Sequence, residues 1–245
     1  MCNSDEVMAD GWSNSLLLLG IDTCGPSGSV ALGRLSATTG LEGRCSNGPV
    51  EILGQIELEG KSYSARLVAA VGGLLAVHGV KLQQVGCIVA VNGPGSFTGV
   101  RVGLSAVKGL AGGVGMPVTA ISRLEVLAGK VGLSAAVLDA HRNEVFLRVA
   151  GRELLAGVAD LAEIARPEQV AVCDAAAAEM LRTVWTEAEL VETGVPTAAD
   201  ALQMAAGGVA AKAFVEIALL DGHYLRRPDA EIAAEIHSGE AAQKA

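Results

Sequence analysis

The stretch that most constrains the fold is an apolar run followed by a glycine-rich loop and a helix. Residues 85–91 are apolar throughout, as expected of a central strand that is buried on both faces of a sheet. Gly93, Pro94 and Gly95 follow, and they turn the chain sharply because glycine accepts positive φ and proline fixes its own φ. A helix is then predicted over residues 98–112. A strand buried on both faces needs cover on both sides, so the chain is predicted to be mixed α/β.

The other elements, predicted from hydrophobic periodicity, indicate two similar lobes. Strands are predicted over residues 15–22, 29–34, 50–58, 117–121, 135–139, 144–149 and 169–173, and helices over residues 61–78, 123–130, 158–165, 175–183 and 198–220. Three antiparallel strands, a helix and a parallel strand indicate a ribonuclease-H-like lobe, and a second such lobe would give the actin-like ATPase fold. The predicted first lobe covers residues 15–113, completed by the helix at about 198–220, the second covers 114–197, and residues 1–14 and 228–245 are predicted to be flexible tails.

Charge and composition exclude several classes of protein. The formal net charge is −9 and no basic run is longer than Arg226-Arg227, so the chain lacks the basic face of a protein that binds tRNA tightly. No apolar stretch reaches the roughly 18 residues of a membrane-spanning helix. Asp5 and Glu6 stand where a signal peptide carries positive charge, and the five cysteines have no metal-binding or redox spacing. These features predict a cytoplasmic protein with reduced thiols.

The glycine-rich loop allows two interpretations. Ser96 or Thr98 can cap the helix that follows, and the free amides at its start favour an anion, so the loop could hold a phosphate. Alternatively, the loop only packs a strand tightly against a helix. It is not a Walker loop, because no Gly-Lys-Ser/Thr follows. Since residues 100–114 include only three polar side chains, the helix is expected either in the core or against a partner.

Several segments together resemble the TsaB (YeaZ) family of bacterial proteins, which is needed for threonylcarbamoyladenosine in tRNA. The matching segments are residues 93–103 with 106–111, residues 18–23 with 29–32, residues 138–146, and residues 224–226. The third segment departs from the family's D-A-R-x-x-E-V-Y pattern, since His141 replaces the arginine and Phe146 replaces the tyrosine. The resemblance implies an actin-like fold of two ribonuclease-H-like lobes.

The same resemblance implies a partner rather than an enzyme. The catalytic paralogue, TsaD, transfers threonylcarbamoyl from its AMP adduct to the adenosine beside the anticodon, and the small ATPase TsaE assists. Proteins resembling this chain support TsaD and are not thought to perform the chemistry. At residues 123–127, the place of the His-x-x-x-His metal pair of TsaD, the sequence reads Arg-Leu-Glu-Val-Leu, which cannot bind a metal as imidazole does. We therefore expect no catalytic residue and no bound metal.

A vestigial nucleotide site remains an open alternative. Asp22 ends the first strand, where an aspartate of actin-like ATPases helps to hold metal and phosphates. The candidates for weak ATP or ADP contacts, alone or in a complex, are Asp22, Thr23, Gly93, Gly95, Ser96 and Thr98. One carboxylate is too little for metal-assisted hydrolysis, so we expect Asp22 to organise the hairpin turn, and no resident cofactor. An ATPase or kinase is the first alternative function, and a metalloprotease is the second. Ser96 has no His or Asp base near it in the sequence, so a serine nucleophile is not expected.

The helices predicted over residues 61–78 and 98–112 are rich in small residues. Glycines inside a helix cost about 1 kcal/mol each against alanine, and the close approach of another backbone would explain them. The predicted partner interface comprises Arg66, Ala69, Ala70, Gly73, Val100, Arg101, Gly103, Leu104, Val107 and Lys108. A homodimer is expected to use the same face when the partner is absent. A bulky charged residue at Ala70 or Gly103 is expected to abolish partner binding while the monomer stays folded.

Overall fold

The first lobe is built on a five-stranded mixed sheet. The computed structural model describes residues 15–39, 45–59 and 62–226. The strands are β1 (Ser15–Asp22), β2 (Ser27–Thr39), β3 (Cys45–Glu59), β4 (Cys87–Val91) and β5 (Val118–Ile121), in the order β3-β2-β1-β4-β5. Strands β1, β2 and β3 are antiparallel neighbours, whereas β4 runs parallel to both β1 and β5. Every residue of β4 is buried, as its apolar sequence predicts.

The second lobe repeats this arrangement. Its strands are β6 (Ala136–Asp139), β7 (Glu144–Val149), β8 (Arg152–Gly157), β9 (Gln169–Val172) and β10 (Glu189–Glu192), in the order β8-β7-β6-β9-β10. The pattern of parallel and antiparallel pairs is the same as in the first sheet. Strands β8 and β10 were not predicted, because both are short edge strands with charged residues and only partial burial.

Helices cover both sheets and join the lobes. They are α1 (Tyr63–Val77), α2 (Phe97–Val114), α3 (Arg123–Lys130), α4 (Val158–Glu163), α5 (Ala175–Val184) and α6 (Ala198–Ala210). Helices α1 and α2 pack side by side on one face of the first sheet, and α6 covers its opposite face and contacts all five strands. Helix α3 follows β5 of the first sheet but packs on β6, β7 and β9 of the second, and it also packs on α6. The two inner helices α3 and α6 therefore hold the lobes together.

Two predicted boundaries are wrong. The first lobe does not end at residue 113, because β5 pairs in parallel with β4 and completes the first sheet. The helix predicted over residues 198–220 ends at Ala210. There Lys212 takes a φ of +54°, and Val215 then forms an antiparallel bridge with Val118, so the chain leaves the helical path to return to the sheet. The predicted tails at residues 1–14 and 228–245 lie outside the described residues.

Two five-stranded sheets of identical topology, each covered by helices, confirm the predicted α/β architecture of an actin-like fold with two ribonuclease-H-like lobes. The carboxyl ends of β1 and β4 lie next to each other in the first sheet, so Asp22 and the glycine-rich loop meet at one edge. Among the helices of the described residues, none is long and apolar enough to cross a membrane.

Candidate functional site

The β1–β2 turn is organised by the buried carboxylate at the end of β1. Asp22 is fully buried, and its Oδ1 accepts the backbone N–H of Cys24 at 2.8 Å. The equivalent residue of the second lobe, Asp139 at the end of β6, accepts the backbone N–H of His141 at 2.7 Å. The two lobes thus share this aspartate contact, although only the second turn passes through residues of positive φ, His141, Arg142 and Asn143. Asp22 has the geometry of a residue that shapes the hairpin.

A buried cation lies beside Asp22. The Nε of Arg123 is 3.7 Å from the Oδ2 of Asp22, and neither atom has a hydrogen-bond partner among the described residues. Burial raises the pKa of Asp22, and the nearby Arg123 charge opposes that rise. Arg123 begins α3, and its backbone N–H donates to the carbonyl of Gly93 at 2.7 Å. A Cβ at Gly25 would collide with the guanidinium, so the glycine makes room for this pair.

The glycine-rich loop packs directly on the β1–β2 turn. The backbone N–H of Ser96 donates to the carbonyl of Cys24 at 2.7 Å. The Ser96 hydroxyl caps α2 by accepting the N–H of Gly99 at 3.2 Å. A Cβ at Gly95 would collide with the Cys24 carbonyl. Two amides that an anion would use therefore already donate within the chain, which favours the packing interpretation of the loop.

Thr23 is engaged by the inner face of α2. Its hydroxyl donates to the carbonyl of Gly99 at 2.7 Å. A Cβ at Gly99 would collide with the Thr23 carbonyl, and a Cβ at Gly103 would collide with its hydroxyl. These two glycines let the helix lie flat on the turn.

The candidate nucleotide residues do not fit a magnesium-bound phosphate. The carboxylate of Asp22 lies beside the guanidinium of Arg123, so a metal ion bound to Asp22 would have to displace that guanidinium. No group of three or more His, Cys, Asp or Glu side chains able to hold a metal exists within the part of the chain that the structure describes. Thr98 is exposed at the start of α2, away from these contacts.

Four residues of the predicted partner interface belong instead to the core. These are the α2 residues Val100, Gly103, Leu104 and Val107, and all four are buried. Their spacing of three and four residues forms the stripe that an amphipathic helix turns towards its sheet. The other six predicted interface residues are exposed or half-buried on the outer side, namely Arg66, Ala69, Ala70 and Gly73 on α1 and Arg101 and Lys108 on α2.

The outer side of α1 and α2 forms a surface that we call the outer helical layer. It exposes Val68 and Val77 by 59% and 81%, and a groove of about 440 Å³ runs between the helices, lined by Leu67, Val68, Val102 and Ala106 among others. A Cβ at any of five glycines on these helices would meet no atom of the described residues within 4 Å; they are Gly72, Gly73, Gly109, Gly112 and Gly113. Packing among the described residues therefore does not require these glycines, unlike Gly99 and Gly103.

A C-terminal strap, residues 221–226, connects the two lobes across the glycine-rich loop. The backbone N–H of His223 donates to the carbonyl of Asn92 at 2.7 Å, and the ring of Tyr224 packs on Phe97 with centroids 5.0 Å apart. On the second lobe, Arg226 donates to the carbonyl of Ala140 at 2.6 Å and pairs with Glu144. Sequence reasoning missed these roles, because the partners lie more than 80 residues apart along the chain.

Glu153 is the centre of a polar network between the lobes. Its side chain is 6% exposed, and its Oε1 accepts from Arg148 at 2.7 Å. Its Oε2 accepts the hydroxyl of Ser122 at 2.7 Å and lies 2.9 Å from the Nε2 of His223. The carboxylate thus joins β8 to the start of α3 and to the strap. No sequence signal marks this role of Glu153, because β8 itself was not predicted.

We expect Glu153→Gln to lower the free energy of unfolding by about 1–2 kcal/mol, because an amide carries no charge to pair with Arg148 and its nitrogen cannot accept a hydrogen bond. Urea unfolding of the variant measures the loss. The control is Glu187→Gln, which removes an exposed pair with Arg166 and should cost less than about 0.5 kcal/mol. Equal effects of the two substitutions would contradict the assigned role of Glu153.

Comparisons with known proteins give a consistent result. Residues 57–171 match a family model described as TsaD, tRNA N6-adenosine threonylcarbamoyltransferase. The chain is similar to the tRNA threonylcarbamoyladenosine biosynthesis protein TsaB of Bacillus subtilis (strain 168), with 39% identity over 90 residues, covering 35% of this chain and 39% of that protein. It is similar to the protein of the same name in Haemophilus influenzae, with 33% identity over 145 residues, covering 57% of this chain and 56% of that protein. The chain thus matches about half or less of these curated relatives.

One solved structure is similar over a longer stretch. It is the crystal structure of an uncharacterized protein with similarity to the peptidase YeaZ from Pseudomonas aeruginosa. The two chains are 30% identical with a TM-score of 0.64, and the match covers 86% of this chain and 100% of that one. The similarity therefore extends through both lobes.

Proposed function

The chain belongs to the TsaB (YeaZ) family, and we propose that it serves the formation of threonylcarbamoyladenosine in tRNA as a non-catalytic subunit. The names of its relatives in Bacillus subtilis and Haemophilus influenzae support the pathway. We further propose that it binds and activates the catalytic paralogue TsaD, which transfers threonylcarbamoyl to the adenosine beside the anticodon, and that TsaE takes part.

The outer helical layer is the observation that carries this proposal. Five helical glycines have open space above them, although each costs about 1 kcal/mol relative to alanine in a helix. Exposed valines lie beside them on α1. A partner whose backbone approaches the glycines closely would explain both features, since the missing side chains let two helices pack at short distance. The catalytic paralogue is the partner that the family membership favours.

The geometry around Asp22 supports a non-catalytic role. A reaction that uses a metal-bound nucleotide needs free carboxylates and open amides, whereas Asp22 is beside Arg123 and the Ser96 amide donates to Cys24. Nucleotide binding, if it occurs, is proposed to be weak or confined to the complex. We propose the cytoplasm as the compartment, which the free thiols of Cys24, Cys87 and Cys173 support.

Ala69→Tyr is expected to weaken binding to TsaD of the same source organism at least about tenfold, because the ring blocks close approach to α1. Ala69 is exposed, so the thermal midpoint of the variant alone should match that of the parent chain. Biolayer interferometry measures the affinity.

The matched control is Ala176→Tyr, which places the same ring on an exposed helical alanine of the second lobe. Its affinity should be that of the parent chain. If Ala69→Tyr also binds like the parent chain, α1 does not contact the partner and the proposed docking fails.

A further inference from the structure

We propose that the partner surface which docks on the outer helical layer is rich in carboxylates, and that the charge of this layer selects such a partner over a second copy of the chain. The inference rests on the proposed function, because it specifies the chemistry of the same docking surface. It is carried by the distribution of charge on α1 and α2.

The outer helical layer is positive on an acidic protein. The formal net charge of the chain is −9, yet α1 and α2 contain Arg66, Arg101 and Lys108 and no aspartate or glutamate. Among the described residues, none of these three cations takes part in an ion pair. Most other described cations do; Arg34, Lys130, Arg148, Arg166, Arg182 and Arg226 each lie within 4.0 Å of a carboxylate. The layer therefore presents three cations that no ion pair within the described residues neutralises.

Two of these cations line one small pocket. Arg101, Ser105 and Lys108 follow each other at helical spacing on α2 and, with Tyr224, line a polar pocket of about 100 Å³. The guanidinium of Arg101 lies 4.0 Å from the centroid of the Phe97 ring, and such stacking leaves its in-plane N–H donors available. Asp221 also lines the pocket, and its Oδ1 accepts the N–H of Gly222, so the two cations outnumber one carboxylate there. A partner carboxylate can thus bind between a guanidinium and an ammonium group.

The surroundings of the pocket favour a protein partner over RNA. The adjoining groove is lined by the apolar side chains of Leu67, Val68, Val102 and Ala106. A phosphate backbone is bound by many cations, whereas this layer has three, and the overall charge of −9 repels RNA. An apolar groove with a few cations at its edge matches a helix that carries small residues and acidic side chains.

A second copy of the chain matches this surface poorly. In a two-fold dimer the same patch faces itself, so the three cations would lie opposite a patch of the same sign. Like charges across an interface cost free energy and suppress the wrong pairing. The homodimer predicted from the sequence is therefore expected to be weaker than the pair with an acidic partner.

The test compares charge reversal on the layer with charge reversal elsewhere. The double variant R101E/K108E is measured beside K81E/R152E, which reverses two exposed cations outside the layer and gives the same net charge. The dissociation constant for TsaD of the same source organism is measured at about 50 mM and about 500 mM NaCl, where screening differs strongly. Sedimentation velocity measures self-association of each variant under the same conditions.

The parent chain should bind TsaD about tenfold more weakly at the higher salt concentration, and R101E/K108E should bind at least about 30-fold more weakly than the parent at low salt. K81E/R152E should stay within about threefold of the parent. Self-association of the parent should not weaken at high salt, since screening removes repulsion there.

Three other outcomes separate the possible errors. The inference is wrong, while the proposed function stands, if two results are found together. The affinity of the parent chain for TsaD is the same at both salt concentrations, and R101E/K108E binds TsaD with that same affinity. If the parent does not bind TsaD under any condition, the proposed function fails and the inference fails with it. If R101E/K108E abolishes binding of labelled tRNA to the chain alone but leaves TsaD binding unchanged, the layer is an RNA surface and the inference is overturned.

Discussion

Replacement of Arg123 by methionine is expected to lower the free energy of unfolding by about 3–5 kcal/mol at neutral pH, because it leaves a buried carboxylate without its neighbouring cation. Asp22 is 0% exposed, and the nearest charge to it, 3.7 Å away, is that of Arg123. Methionine keeps much of the volume of the arginine side chain. The decrease in the free energy of unfolding therefore comes from the lost charge and not from a cavity. Urea unfolding between about pH 4 and pH 8 measures it.

The loss should depend on pH in a defined direction. Burial raises the pKa of Asp22 and Arg123 lowers it, so removing Arg123 raises the pKa further. A carboxyl group with a raised pKa in the folded state binds its proton more tightly when folded than when unfolded. Its contribution to stability is therefore present at low pH and is lost as the pH rises through the folded pKa. The difference between Arg123→Met and the parent chain should thus be largest at neutral pH and shrink towards pH 4.

The double variant Asp22→Asn/Arg123→Met is the control. Asparagine is neutral and can still accept the N–H of Cys24 through its side-chain oxygen. We expect the double variant to recover to within about 1 kcal/mol of the parent chain, because no uncompensated charge remains buried. If Arg123→Met alone costs less than about 1 kcal/mol at every pH, the two residues do not form the buried pair described above.

Gly103→Glu is expected to lower the free energy of unfolding by more than about 4 kcal/mol, since it combines overpacking with burial of a charge. A Cβ at this position would collide with the hydroxyl of Thr23. The sequence-based expectation that a charged residue at Gly103 leaves the monomer folded is therefore wrong. Thermal and urea unfolding of the purified variant measure the effect.

Gly73→Glu is the matched control, because it makes the same substitution in a helix where a Cβ meets nothing within 4 Å. Its stability should equal that of the parent chain or exceed it by up to about 1 kcal/mol, through better helix propensity. If both variants are equally stable, the glycines of α1 and α2 do not divide into packing and surface positions.

The fold could be predicted because its central elements carry strong local signals. Strand β4 is a continuous apolar run, and α1 repeats apolar residues every three or four positions. The edge strands β8 and β10 lack that signal, since they are short, polar and partly exposed. The end of α6 was also missed, because the bridge between Val215 and Val118 depends on contacts that are distant in sequence.

The site was only partly predictable for a related reason. Helix α2 is made almost entirely of small and apolar residues, so its sequence does not separate the inner Gly103 from the outer Gly109. The pairing of Asp22 with Arg123 and the network of Glu153 also depend on long-range packing. In contrast, local chemistry predicts that Ser96 can cap α2. The structure confirms this, because the Ser96 hydroxyl accepts the N–H of Gly99.

The most direct test of the proposed role is reconstituted threonylcarbamoyl transfer to tRNA. Purified TsaD and TsaE are supplied with threonylcarbamoyl-AMP and tRNA, with and without this chain, and the modified nucleoside is measured by mass spectrometry. We expect that the chain alone forms no product, that the mixture lacking it forms little, and that adding it restores the reaction. At the same subsaturating concentration, Ala69→Tyr should restore less product than the parent chain. Product formed by the chain alone, or equal product with and without it, would contradict the account.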